Sequence, residues 1–172
     1  RLSRLFGILF HIGAFIGIVF SLHSRDRTQH VAALAYAGSA LGAVFAGDLL
    51  TLFVFWELLA VSSVFLIFAS RTERSYGAGM RYLVIQVISG VLLLAGALIL
   101  YGQSGSLRFE HIGLSGAGSM LIFIAFGIKC AFPLLHNWLT DAYPEATPTG
   151  TVFLSAFTTK VAVYALACGF AG

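Results

Sequence analysis

Six apolar runs limit what this chain can fold into: Leu2–Leu22, Val31–Gly47, Leu49–Ala69, Tyr82–Gly102, a fifth from near Gly118 to Trp138, and Thr149–Gly172. Each is roughly 17 to 23 residues, the length at which a helix rising about 1.5 Å per residue crosses about 30 Å of hydrocarbon. Membrane strands would need only about ten residues apiece and a side-chain period of two, and that alternation is absent. Charged residues make up 10% and hydrophobic ones 59%, with a mean hydropathy of +0.93, where soluble domains carry roughly 25% charge. The sequence therefore predicts an all-α fold: a polytopic transmembrane bundle of about six helices in a multi-pass integral membrane protein.

The chain opens on Arg1 rather than Met, and its last run reaches Gly172 without flanking charge. Residues 1–172 are accordingly read as a single membrane domain belonging to a longer protein. The first run is too long for a signal-peptide core and lacks a small-residue cleavage site. Cys130 and Cys168 both fall inside apolar runs, where a thiol serves as a small hydrophobe. There is no Cys-x-x-Cys, no Gly-rich loop ending in Gly-Lys and no His-Glu-x-x-His. Nucleotide, iron–sulfur and zinc chemistry thus have no footing, and neither cofactor nor metal is expected. The net charge of +3 comes from loop arginines, which suits membrane topology better than nucleic acid.

Ionisable residues inside the runs then carry the information. The chain has two lysines, Lys129 and Lys160, and both lie deep in apolar segments, as does Glu57. An ammonium near the bilayer centre costs from about 2.5 to more than 10 kcal/mol depending on the measure, so each points to a functional site with a partner. Glu57 is eight residues on from Leu49, about 12 Å into the third run, and Lys129 and Lys160 lie about 16 Å and 15 Å inside theirs. Pro133 follows Lys129 by four residues. In a helix the amide of residue 133 would bond the carbonyl of residue 129, and proline has no amide to give. A kink or break is predicted there, with water or a polar side chain at the gap.

Other positions have plainer roles. Gly13 and Gly17, like Gly38 and Gly42, are four apart and offer close-packing faces. The Ala- and Gly-rich second run is expected to pack centrally. His11 reads as a hydrogen-bonded packing histidine, Asp48 as the cap of the third helix, and Trp56 as packed against other helices. The fourth run is apolar except for Gln86 and Ser89 and reads as scaffold. His136, Asp141 and Glu145 belong to the polar link between the fifth and sixth runs, where solvation and capping are preferred over proton relay; His136 is the first to test. If the runs alternate, Arg25, Arg27, Arg71, Arg74 and Arg81 collect on one face and Arg1, Arg4 and Arg108 on the other, favouring the first as cytoplasmic. Glu57, Lys129 and Lys160 would then share one level.

FVFWELLAVSSVFLI, followed by GIKCAFPLLHNWLTDAYPEATPTGTVFLSAFTTKVAVYAL, resembles the antiporter-like membrane subunits shared by respiratory complex I, multisubunit Na+/H+ antiporters and membrane-bound hydrogenases. The likeness covers nearly the whole chain. LTDAYPEATPTG departs from the commoner LPDA with APTPVSA and is similar to the D-type antiporter subunit. The resemblance implies that Glu57 pairs with Lys129 on a discontinuous helix broken at Pro133, that Lys160 takes the connecting proton, and that His136 flanks the break. It further implies that residues 31–172 form the first five-helix repeat after a preceding helix at 2–22, with an inverted partner after Gly172. The implied partners are H+, with Na+ as a second ion, other membrane subunits of a large complex and the lipid bilayer of a bacterial cytoplasmic membrane.

The physical logic stands without the family. Burial drives a lysine to shed its proton, whereas a nearby carboxylate holds the proton on. A change of about 2 Å in that separation, at low dielectric, shifts the balance by a few kcal/mol. A moving Glu57 carboxylate could thus make Lys129 hand its proton to Lys160. Three other readings compete: a static buried ion pair that fixes helix register, a haem- or quinone-binding redox subunit, and a non-transporting scaffold. Haem b would need two axial histidines at matched depth, and only His11 is well inside a run.

Overall fold

The computed structural model describes residues 1–171, and the end of the sixth run at Gly172 lies outside them. Seven helices follow in order: α1 (Leu2–Ser21), α2 (Arg27–Phe45), α3 (Leu49–Phe68), α4 (Glu73–Ser104), α5 (Ala117–Lys129), α6 (Asn137–Ala142) and α7 (Pro148–Phe170). The described residues form no strand, only one isolated antiparallel bridge between Asp48 and Arg108. The fold is an all-α transmembrane bundle. Seven segments replace six runs because the fifth run is split into α5 and α6.

Helices α1, α3, α4 and α7 are long and apolar enough to cross a membrane. Helix α5 has only 13 residues, and α2 is diluted by Ala, Gly, Ser and Thr. Those small residues let α2 sit between α1, α3 and α7. A Cβ added at Gly42 would overlap the Phe55 ring of α3, and one at Gly17 of α1 would come within 2.8 Å of Phe153 on α7. Gly38 has nothing within 4 Å, so the close approach falls on Gly42 alone. Helix α4 begins nine residues before the expected run, because Thr72 and Ser75 form a reciprocal capping box at its start.

Loop contacts sort the helix ends. Asp26 meets Arg71 at 3.2 Å, and Arg81 meets Asp141 at 2.7 Å, so the arginine-rich links and the α5–α7 connection share one end. At the other end Leu49 N–H donates to the Leu107 carbonyl (2.8 Å) and Phe109 N–H to that of Gly47 (3.0 Å). Asp48 caps α3 as expected, accepting from the amide and hydroxyl of Thr51, both at 2.7 Å. Those bonds hold its carboxyl below the usual carboxylate range. His11, by contrast, is exposed on α1, and its Nδ1 donates to the Gly7 carbonyl of its own helix (2.7 Å).

The break after α5 is a built structure. Ala131 N–H donates to Ile128 O (3.1 Å) and Phe132 N–H to Gly127 O (3.0 Å), with Ala131 in the left-handed region at φ 60°. This is a Schellman ending with alanine where glycine is usual, and Pro133 follows it closely. The chain therefore leaves the helix two residues before proline would have forced it. Leu134 (φ 72°) bends it again, and α6 starts at Asn137. Ala131→Gly should remove the left-handed strain and raise stability by up to about 1 kcal/mol. Thermal melting of the full-length subunit checks this, with a lower midpoint as the contrary result.

Candidate functional site

Lys129 is the last residue of α5 and is 0% exposed. Long helical side chains lean toward the helix N-terminus, so the stem runs back into the bundle although its backbone stands at the break. The ammonium donates to the Trp56 carbonyl of α3 at 3.2 Å, and Nζ lies 4.8 Å from the Trp56 ring centroid. A cation over an indole face is an attractive contact. Trp56 is itself fixed: its Nε1 donates to Ser89 Oγ on α4 (3.0 Å), Ser89 Oγ donates to Ala125 O on α5 (2.7 Å), and its ring packs on Phe126 at 5.1 Å. Helices α3, α4 and α5 are thus bound together around the lysine.

Glu57, the next residue of α3, is half-buried and lies against Gly90 of α4, where an added Cβ would overlap its Oε1. That oxygen is buried and accepts no hydrogen bond among the described residues. Glu57 and Lys129 are within Coulombic range of each other. They do not form an ion pair: the three among the described residues with N···O within 4.0 Å are Asp26–Arg71, Arg81–Asp141 and Arg108–Glu110. The expected Glu57–Lys129 pairing is therefore corrected to two neighbouring charged groups without an ion-pair contact: Trp56 supplies the ammonium's hydrogen bond and the carboxylate lies against Gly90.

Lys160 departs further from expectation. It is exposed on α7, and its Nζ donates to the Ser155 carbonyl of its own helix at 2.5 Å. It is within Coulombic range of Cys130, just past the end of α5, and among the described residues it forms no hydrogen bond with Lys129 and no ion pair with Glu57. His136 is exposed at the start of α6 and makes no capping bond. Pro133 is exposed in the link. Asp141 neither caps a helix nor stands free: Arg81 grips it through Nε (2.7 Å) and Nη2 (2.9 Å), which holds its carboxyl below the usual range. A polar cleft of about 500 Å³ opens beside that pair, lined by Glu73, Arg74, Gly77 and Glu145.

The structure also assembles groups that the sequence reading passed over. The Tyr36 and Thr158 hydroxyls are hydrogen-bonded, Ser63 meets Tyr82 at 2.7 Å, and Tyr143 OH donates to Leu154 O at 2.9 Å. Tyr36, Ser63, Tyr82 and Thr158 are buried and come from four different helices. Gln86 is 0% exposed, and neither its amide nitrogen nor its oxygen has a partner among the described residues. A signal was present, since Tyr82, Gln86 and Ser89 recur once per turn in the run read as scaffold.

The segment that holds Glu57, Lys129 and the helix break also matches known proteins. Residues 46–170 match the family described as NADH:quinone oxidoreductase/Mrp antiporter, TM. The chain belongs to that family. Its relatives include the NADH-quinone oxidoreductase subunit N of Deinococcus radiodurans, 28% identical across 90% of this chain and 35% of that protein. The D-type subunit of the Na(+)/H(+) antiporter of Bacillus subtilis is 27% identical across 89% of this chain and 35% of that protein. The chain thus spans about a third of the length of these relatives. A subunit of the membrane-bound sulfane sulfur reductase, an archaeal respiratory membrane complex, superposes with a TM-score of 0.86 at 28% identity, covering 96% of this chain and 37% of that one. The chain is therefore an antiporter-like integral membrane subunit, and its structural neighbours sit in multisubunit membrane complexes.

The Glu57 seat in this family member can be tested directly. Gly90→Ala should be accommodated only by moving the carboxylate, so its cost should vanish when Glu57 is already alanine. A double-mutant cycle on thermal stability is expected to give a coupling of about 0.5–3 kcal/mol. Additive effects would show that the side chain does not press on Gly90.

Proposed function

We propose that this chain is the proton-carrying part of a membrane subunit in a cation/H+ antiporter or respiratory complex, with Lys129 as the carrier and Glu57 as the group that controls it. One observation carries the reading. The ammonium of Lys129 is fully buried and uses a neutral carbonyl, while the nearby carboxylate of Glu57 has an unbonded oxygen. A pair kept only to fix helix register would be expected to close into contact, since an unpaired buried charge is costly. Two groups near each other but each seated elsewhere would instead leave the separation adjustable. Moving the carboxylate toward Lys129 favours the ammonium, and withdrawing it favours release of the proton.

Lys160 would take that proton. Its outward position supports this only if another element of the subunit or complex packs over that face of α7, because a lysine facing lipid at that depth is costly. His136, Pro133 and Asp141 would act at the break, Pro133 by preventing the helix from resuming. Residues 31–172 would form one five-helix repeat of a longer subunit lying in a bacterial cytoplasmic membrane. Both H+ and Na+ are consistent with relatives that include an Na(+)/H(+) antiporter subunit, and H+ is favoured because the central carrier is a lysine, which binds no sodium.

Lys129→Ala and Glu57→Ala, each in the full-length subunit within its complex in proteoliposomes, should abolish proton transport while assembly persists. Undiminished pumping by either variant would remove the basis of the reading.

A further inference from the structure

Tyr82, Gln86 and Ser89 lie on one face of α4, spaced four and three residues apart. All three are buried, at 1%, 0% and 0% exposure. The outer two are bonded, Tyr82 to Ser63 of α3 and Ser89 to Trp56 and Ala125. Gln86 between them has no partner among the described residues for either amide atom. Leaving such atoms unsatisfied costs about 1–3 kcal/mol apiece, and a buried polar site of this kind is ordinarily satisfied by ordered water.

Helix register places Gln86 beside the site. Gly96 of α4 packs on Gly118 of α5, and Ser89 bonds Ala125, so each step back along α4 is a step forward along α5. Gln86 therefore stands opposite Ile128, in the last turn of α5. One turn onward on the same face of α4 is Gly90, the seat of the unbonded Glu57 oxygen. Lys129 has spare capacity as well: it has three donors and gives one to the Trp56 carbonyl. At the other end of the row, Arg81 precedes Tyr82 and lines the polar cleft of about 500 Å³ at the surface.

We propose that the Tyr82–Gln86–Ser89 face of α4 is hydrated, and that Gln86 holds a water that passes protons between the polar cleft and the Lys129–Glu57 site. The amide orients the water by donating to its oxygen and accepting one of its hydrogens. The water takes a proton onto its oxygen as it gives one of its own to the next acceptor, so it ends unchanged and Gln86 keeps its protons. The delivery of protons rests on the function proposed above; the presence of the water does not.

The test uses the full-length subunit in its complex. Gln86→Leu keeps the bulk and removes the polar atoms, and proton flux in proteoliposomes should fall at least about tenfold. Its melting temperature should hold or rise, because the amide bonds a water rather than a protein group and its removal leaves no protein partner unpaired. Gln86→Asn should recover most of the flux. A high-resolution map of the wild-type complex should show an ordered water on the Gln86 amide that Gln86→Leu lacks. Wild-type flux in Gln86→Leu, alongside an inactive Lys129→Ala, would overturn the role of the Gln86 water in proton delivery and leave the proposed function standing. A Gln86→Leu variant that melts lower and is not rescued by Gln86→Asn would reduce Gln86 to a structural role and overturn it. If Lys129→Ala still pumps, the function falls, and the map alone decides the water: an amide bonded to protein groups instead overturns it.

Discussion

An ammonium must be held at a depth where lipid would not hold it, and the bundle is arranged to meet that demand. Lys129 receives a carbonyl and an indole face from a single residue, Trp56. Trp56 can serve only because Ser89 fixes its indole nitrogen, and Ser89 is held in turn by the Ala125 carbonyl. Three helices are consequently locked by a short polar chain inside an otherwise apolar core, where each such bond is stronger than it would be in water. Gly90 completes the arrangement, since any side chain there would occupy the space of the Glu57 carboxylate.

The helix break has its own supports. Trp138 of α6 reaches back to donate to the Ile128 carbonyl at 2.9 Å, which pairs a group in the last turn of α5. Its ring packs edge-on against Tyr82 of α4 at 5.5 Å. Ala131 and Leu134 hold left-handed backbone at a cost of about 1–3 kcal/mol each, which persists only where surroundings fix it. The bend that follows Lys129 is thus anchored on both sides.

Much of this was legible in the residues, for physical reasons. Span length, the missing amide at Pro133 and the Asp48 cap are local properties of the chain, and the Asp48 cap formed as expected, while α4 began nine residues early at the Thr72–Ser75 capping box and the break came at Ala131, two residues ahead of the proline. The pairing of Glu57 with Lys129 was a different kind of statement. It depended on which rotamer each side chain takes and on what lies between, and neither is encoded in spacing along one helix. Lys160 illustrates the same limit, since depth in a run does not say which way around the helix a residue points. The part Gln86 plays was hidden because a single amide among apolar residues looks like dilution until the packed helices show that no described residue bonds it.

The difference between contact and near-contact decides how Glu57 and Lys129 are understood. Two unit charges in contact in a medium of low effective dielectric attract strongly, and separating them by an ångström or two costs little only if each has another place to rest. Lys129 has the Trp56 carbonyl, and Glu57 has the space opened by Gly90. Each group therefore has a resting position independent of the other, and the energy separating the near and far arrangements is reduced by the worth of those alternative seats. A locked pair would lack such seats and would resist any outside push. Under the proposed function, a small displacement of α3 against α5 would alter how tightly the lysine holds its proton, which is the property a carrier needs and a register pin does not.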